Sequence, residues 1–352
     1  MRQNTSFGKE SPLTRELRHQ VEALLLRDPR GRFADPQVWM KALFLLALNA
    51  TLYGAILFLA DSSPLRMGLT VLFAVATLFL GLNVMHEAAH GNFSKGERTN
   101  RILACTFDLF GISSDLYRIK HIQFHHNYTN LYELDGDINE APLIRMSPSQ
   151  ALWSIHRFQA FYTPLLYALI TLSWPVFDLI RMVDAKVGKM GFRAPPLSVQ
   201  LRIIAFKCIH YGLALVLPAA LLGWKEALSL FLLFHFLLGS ILALIFQVAH
   251  VHEDGVPDAT PLPWDWHLHQ IRTSADFSTR NPWVCFAFGG LNFQTIHHLF
   301  PNVSYRHYPA IQELLVPLCM KQGVVYREFP SFTAAVVAHF RFLSRMGRKV
   351  NP

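Results

Sequence analysis

Four apolar stretches set the terms on which this chain can fold. Residues 38–60, 67–85, 203–222 and 228–249 each reach the length of a membrane crossing, which takes about 20 residues of helix. The first is broken only by Lys41 and Asn49, and the second meets no charge until Glu87. A backbone in lipid finds no water, so each span must satisfy its own N–H and C=O groups as a helix. Asp61-Ser62-Ser63-Pro64 and Gly223-Trp224-Lys225-Glu226 turn the runs into two hairpins. The expected fold class is all-α and integral to a membrane: two transmembrane hairpins, four spans, and a helical cytoplasmic cap. Composition agrees. Only 16% of the residues are charged and 52% are hydrophobic, whereas a soluble domain carries about 25% charged residues.

The other stretches are shorter or polar. Residues 1–37 read as a cytoplasmic leader with an amphipathic helix around Leu17 to Leu26, 38–320 as the membrane domain, and 321–352 as a basic cytoplasmic tail. Residues 102–113 hold Asp108 and Gly111 and are too short to span, so they read as a re-entrant, interfacial or cavity-lining piece. Residues 158–180, interrupted by Pro164 and Pro175, read as interfacial or re-entrant, lying along the interface or dipping in without crossing. Lys and Arg crowd the leader, the 181–207 loop and the tail. The positive-inside rule puts all three in the cytoplasm, which demands an even number of crossings between them. Met1 to Glu10 is polar and no signal-peptide pattern follows it, so no cleaved leader is expected. The net charge of +8 suits an anionic lipid surface. No zinc-finger spacing, nucleotide loop or RNA-binding signature accompanies it, so nucleic acid is not an expected partner. Cys105, Cys208, Cys285 and Cys319 lie far apart without a C-x-x-C pair, which argues against a disulfide framework, a thiolate zinc site and a c-type haem.

Seventeen histidines remain to be explained, and their spacing says more than their number. His86 and His90 share a helix face at the end of the second run, as do His121 and His125 in the next polar segment. On an α-helix His126 is turned about 140° from His121, at about 100° per residue, so it could serve a second metal. Gln294, His297 and His298 fall on one face, and His250 closes the fourth span. The topology brings all of these to one side of the membrane at similar depth. They are too many for a single four-coordinate zinc. They suit two metals of five or six ligands, and nitrogen ligands with open positions fit iron that meets dioxygen. By contrast His156, His210, His235, His307 and His339 read as surface or interfacial residues, with His252, His267 and His269 intermediate. His86-Glu87-Ala88-Ala89-His90 also matches H-E-x-x-H, the pattern of zinc proteases, with Asp135 or Asp137 open as a third ligand. That rival leaves most of the other histidines without a role.

Three segments carry a family resemblance. His86-Glu-Ala-Ala-His90-Gly-Asn-Phe, His121-Ile-Gln-Phe-His125-His126-Asn-Tyr-Thr-Asn and Asn292-Phe-Gln294-Thr-Ile-His297-His298-Leu-Phe-Pro-Asn resemble the three histidine boxes of membrane fatty-acid desaturases. The leading glutamine of the third box is similar to front-end acyl desaturases and to bacterial linoleoyl-CoA desaturases. The resemblance implies two iron ions held by His86, His90, His121, His125, His126, His250, Gln294, His297 and His298. It also implies dioxygen as co-substrate and an acyl-CoA or acyl-lipid substrate, in which a cis double bond is formed. Many eukaryotic front-end members carry a fused cytochrome b5 with a His-Pro-Gly-Gly motif, which this sequence lacks. With no fused haem or flavin expected, electrons would come from a separate donor, a ferredoxin or a free cytochrome b5-like carrier with its reductase.

Abstraction of hydrogen from an unactivated methylene lies beyond any side chain and needs oxygen activated at reduced metal. Ligating imidazoles need acceptors for their second ring nitrogens, and Asp115, Asp135, Asp137 and Glu140 are the candidates. An apolar tunnel between the hairpins would hold the acyl chain, with Arg118, Lys120, Arg272 and Arg280 as candidates to meet a phosphate-bearing head group. A hydroxylase or ketolase on the same di-iron scaffold is the alternative, since both reactions begin with the same hydrogen abstraction.

Overall fold

The computed structural model describes residues 7–139, 142–252 and 262–348, and among them the chain is mostly helical, with almost no sheet. In chain order the principal helices are α1 (Pro12–Arg27), α2 (Pro36–Phe58), α3 (Ser63–Ala89), α4 (Leu197–Leu222), α5 (Trp224–His250), α6 (Trp266–Thr273), α7 (Pro282–Phe288), α8 (Gln294–Leu299), α9 (Tyr308–Gln322) and α10 (Phe332–Met346). Two short strand pairs complete it: β1 (Lys186–Val187) with β2 (Met190–Gly191), antiparallel, and β3 (Asp276–Phe277) with β4 (Glu328–Phe329), parallel. Helices α2, α3, α4 and α5 are the four described helices long and apolar enough to cross a membrane.

The chain divides into two compact units, residues 35–119 with 163–244, and residues 1–34 with 120–162 and 245–352. In the first, α2 and α3 form the expected hairpin and are tied through polar pairs. Thr77 donates to Asn49 at 2.7 Å, Asn49 donates back to the Leu45 carbonyl at 2.8 Å, and Lys41 reaches Asn83. Inside lipid such pairs keep polar groups satisfied and fix the register of two helices. The stretch read as interfacial forms two helices, Ser154–Ala168 and Ile170–Asp184, bent by 75°. The bend falls at Leu169, whereas Pro164 and Pro175 lie inside the helices. The second helix is fastened by buried Asp178, which accepts from Lys207 of α4 at 2.5 Å, from the Ser113 backbone at 2.7 Å and from Arg181 at 3.3 Å. Residues 102–113 are short helical pieces, Glu97–Ala104 and Thr106–Leu109, rather than a span. A cavity of about 280 Å³ lies within this unit, lined by Leu46, Tyr53, Phe73, Phe110, Leu213 and Phe234 among others.

In the other unit the leader carries a helix over the expected stretch, and it is docked. α1 begins at Pro12, earlier than the apolar pattern suggests, because Ser11 caps it by accepting the Thr14 N–H at 3.2 Å. Leu13, Leu17 and Val21 are buried, and α1 packs on α9. The stretch read as a basic tail carries α10, whose Ala335, His339, Phe342 and Leu343 are buried. Val248 and Ala249 of α5, Phe277 of β3 and Ala335 of α10 form one core. Against it pack Val284 and Phe288 of α7 and Phe329 of β4.

Candidate metal centre

The second box lies on a helix wound in the wider π form over Arg118–His125, a geometry that recurs at functional sites. The winding overturns the expectation that His126 turns away from His121. With hydrogen bonds running from i to i+5, residues five apart come onto one face, and the two Nε2 atoms are 3.1 Å apart. Two nitrogens each about 2.1 Å from one ion and at a right angle lie about 3.0 Å apart. The His126 ring is also 4.8 Å from His297 and 4.2 Å from His298, centroid to centroid.

His125, His250 and His298 form a second group, with one ring nitrogen of each within 4.8 Å of the others. Three different elements supply them: the π-wound segment, the end of α5, and α8. Each is aimed by an acceptor at Nδ1. Asp135 faces His125 Nδ1 at 3.1 Å and is itself held by the backbone N–H groups of Asn130 and Asp137, both at 2.8 Å. The Thr273 carbonyl faces His250 Nδ1 at 3.2 Å. Gln270 Oε1 faces His298 Nδ1 at 2.9 Å, and its orientation follows from its own Nε2, which donates to the His126 carbonyl at 3.0 Å. A carbonyl or carboxylate can only accept, so each Nδ1 carries the proton and each Nε2 presents a lone pair. The Nε2 atoms of His250 and His298 are buried and make no hydrogen bond among the described residues. Converging bare lone pairs away from water is costly unless a cation sits among them, and the donor set therefore fits a metal ion.

Electrostatics support the same reading. Burial pushes the His298 imidazole well below its ordinary value, and the surrounding His126, His250 and His125 push it further, so it stays neutral and able to ligate. His125 differs: burial would lower its pKa, but the carboxylates of Asp135 and Asp137 outweigh it and raise it, a pull toward positive charge that a bound cation would satisfy in place of a proton. Desolvation would raise Asp137, yet Lys120 at 2.8 Å and then His125 hold its carboxyl well below the usual range.

Four of the ligand candidates remain. On α8, Gln294 is buried with its side-chain amide unbonded among the described residues, His297 Nδ1 faces the Tyr308 hydroxyl at 3.1 Å, and the rings of His121 and His297 stack at 6.3 Å. The first box closes α3 in the other unit. A π-wound turn over Gly81–Met85 precedes it, and His86 and His90 pair there with ring centroids 4.7 Å apart.

Other assignments change. Asp115 pairs with Arg202 instead of a box histidine, and Glu140 lies outside the described residues. Lys120 is engaged by Asp137, and Arg272 lies over the Trp264 ring at 4.6 Å. His156, His210, His235, His307 and His339 are buried, not superficial. Four of them hold backbone carbonyls: His156 that of Pro142, His210 that of Leu109, His307 that of Gly31 and His339 that of Val251. His269 is likewise buried against the Thr129 carbonyl at 2.8 Å, and burial lowers its pKa to about 4.

Several supporting residues escaped the sequence reading. Asn130, at a positive φ of 59° that asparagine tolerates, donates to the His250 carbonyl at 2.7 Å and so links the second box to α5. Thr129 donates to the His125 carbonyl at 2.8 Å and lies 2.9 Å from Gln270 Oε1. Asp276 of β3 accepts the Thr295 N–H at 2.7 Å, at the start of α8, and is backed by the Tyr326 hydroxyl. Gly290, with a φ of +73°, has no room for a side chain: a Cβ there would stand 2.4 Å from Tyr305. The one signal that was available is Asn127-Tyr128-Thr129-Asn130, a polar run attached directly to the second box.

The model of the fatty acid desaturase family matches residues 62–330. The chain is 32% identical to the sn-1 linoleoyl-lipid 6-desaturase of Synechocystis sp., over 97% of both chains. It is 29% identical to the enzyme of that name from Arthrospira platensis, over 99% of this chain and 95% of the other. With acyl-lipid (8-3)-desaturase B of Dictyostelium discoideum it shares 32% identity over 82% of this chain and 66% of that longer one. The zinc-protease reading of His86-Glu87-Ala88-Ala89-His90 finds no support in these likenesses.

Proposed function

The chain belongs to the fatty acid desaturase family, and on that premise we propose that it holds two iron ions and desaturates acyl chains carried on membrane lipids. As a member of the family it is an oxidoreductase, a fatty acyl desaturase, and relatives named for acyl-lipid substrates support a lipid-borne chain here. Desaturation is favoured over hydroxylation by the same relatives.

The observation that carries the metal reading is the convergence of His125, His250 and His298, each with Nδ1 held by a separate acceptor. We assign one ion to these three. The second is assigned to His121, His126 and His297, with Gln294 beside them, on the strength of the box motifs and of the close approach of His121 and His126, and His86 and His90 are counted as iron ligands on the motif of the first box alone. Bound iron supplies, with dioxygen, the oxidising power to remove hydrogen from a methylene group. The chain's own part is positional. Asp135, the Thr273 carbonyl and Gln270 keep the Nδ1 protons in place, so the ligands cannot swing or take the wrong tautomer. Burial of these imidazoles, His90 excepted, would keep bulk water away from a bound ion. The apolar cavity lined by Phe73, Phe110 and Phe234 suits the hydrocarbon part of the substrate. We further propose that the site faces the cytoplasm, as the basic leader and 181–207 loop favour. Electrons would then arrive from a separate ferredoxin or cytochrome b5-like carrier with its reductase.

Metal analysis of the purified chain, paired with gas chromatography of lipids from an expressing host, tests this. Two irons per chain and one added cis double bond are expected, with the product lost in His125→Ala and His297→Ala. A single zinc, no metal, or a hydroxylated product would overturn it.

A further inference from the structure

Helix α7 has two unlike faces. Val284 and Phe288, four apart, pack on the core formed by Val248, Ala249, Phe277 and Ala335. Trp283 and Phe286, three apart on the other side, are 78% and 55% exposed. Large aromatic side chains exposed together mark a surface that meets an apolar partner. The identity of that partner follows from what α7 packs on. Val248 and Ala249 belong to the last turn of α5, one of the helices long enough to cross the bilayer. A helix fastened to the final turn of a span lies at the depth where that span leaves the hydrocarbon. This is the level at which tryptophan concentrates in membrane proteins, its ring in the acyl boundary and its N–H toward the head groups. Beside α7 lies a polar hollow lined by Ser278, Thr279, Arg280, Asn281, Glu328 and Ser331. An apolar prong with an arginine and hydroxyl groups next to it matches the layering of a phospholipid surface, acyl chains below and phosphates above.

We propose that α7 is an interfacial anchor, with Trp283 and Phe286 seated in the outer acyl layer of the leaflet where α5 ends and Arg280 at phosphate height. A turn through Gly289 and Gly290, both at positive φ, joins α7 to the segment that begins α8. Gly290 is pressed against Tyr305 and Tyr308, so the joint is stiff. The anchor therefore sets the depth of the third box relative to the lipid surface. This inference stands whichever carrier presents the acyl chain.

The test uses the full chain in phosphatidylcholine vesicles whose acyl chains are brominated near the carbonyl end, and separately in plain vesicles with aqueous iodide. The chain has seven tryptophans, so the difference between wild type and Trp283→Phe isolates the emission of Trp283. That emission is expected to be quenched by the brominated lipid and spared by iodide. Phe286→Trp in the Trp283→Phe background moves the probe along the same face and should behave alike. Quenching by iodide without quenching by bromine would overturn the proposal. Quenching by neither, the signature of a face covered by a second copy or another protein, would also overturn it.

Discussion

At the scale of single residues, the centre is governed by what stands behind each imidazole. Asp135 has no freedom of its own, since two backbone N–H groups fix its carboxylate before His125 meets it. Removing such a partner typically costs about 10–100-fold in metal affinity. Asp135→Ala is expected to fall in that range by chelator competition. Asp135→Asn, which retains an acceptor oxygen, should lie between it and wild type. An unchanged affinity in the alanine variant would show that His125 is aimed by something else. The candidate ligands were legible in the sequence because boxes are local: two or three imidazoles within six positions announce themselves. Their supports were legible only in part. Asp135 stands close enough to be suspected, but Gln270 and the Thr273 carbonyl reach His298 and His250 from separate segments, with no spacing rule to connect them. Asp115 shows the converse, an acid near the second box in sequence that pairs instead with Arg202.

At the scale of elements, hydrophobic periodicity located the spans and missed the winding. The four long helices match the apolar runs to within a few residues, and where they run longer their ends are polar or capped. The π segments at Gly81–Met85 and Arg118–His125 leave no trace in composition, and an α period assigned His121 and His126 to different faces. Helix α8 illustrates another limit. It is six residues long, too short to persist alone, and its start is capped from outside by Asp276. Asp276→Ala should therefore lower stability by about 0.5–2 kcal/mol, as the loss of a helix cap does. Burial raises the Asp276 carboxyl from 3.8 to about 7. A carboxyl raised on folding favours the folded state at low pH, and that contribution is lost as pH climbs from about 4 to about 7. Asp276→Asn keeps the acceptor but cannot ionise. Thermal melts in detergent should show the asparagine variant gaining on wild type across that interval, whereas a constant difference would mean that Asp276 is not the titrating group.

At the scale of the whole molecule, the number of crossings decides which side of the membrane holds each end. Four spans return both termini to one side, and the bent pair 154–168 and 170–184 adds a fifth only if it passes through. Reporter fusions at the two ends are expected to give the same cytoplasmic signal, with the opposite signal from a reporter in the turn at Asp61 or Gly223. Opposite signals from the ends would mean that the bent pair crosses. Here the sequence was informative because lipid imposes one rule on every segment, whereas the docking of α1 and α10 depends on side-chain fit that no charge count reveals. The parallel pairing of β3 with β4 bears on the order of biosynthesis. Tyr326 and Glu328–Phe329 brace the strand from which Asp276 grips α8, so this wall of the site is complete only once residues made after the third box have joined it. A chain truncated before Tyr326 would keep every candidate ligand of the three boxes and lose this brace, so strand pairing far along the chain decides how firmly its histidines are held.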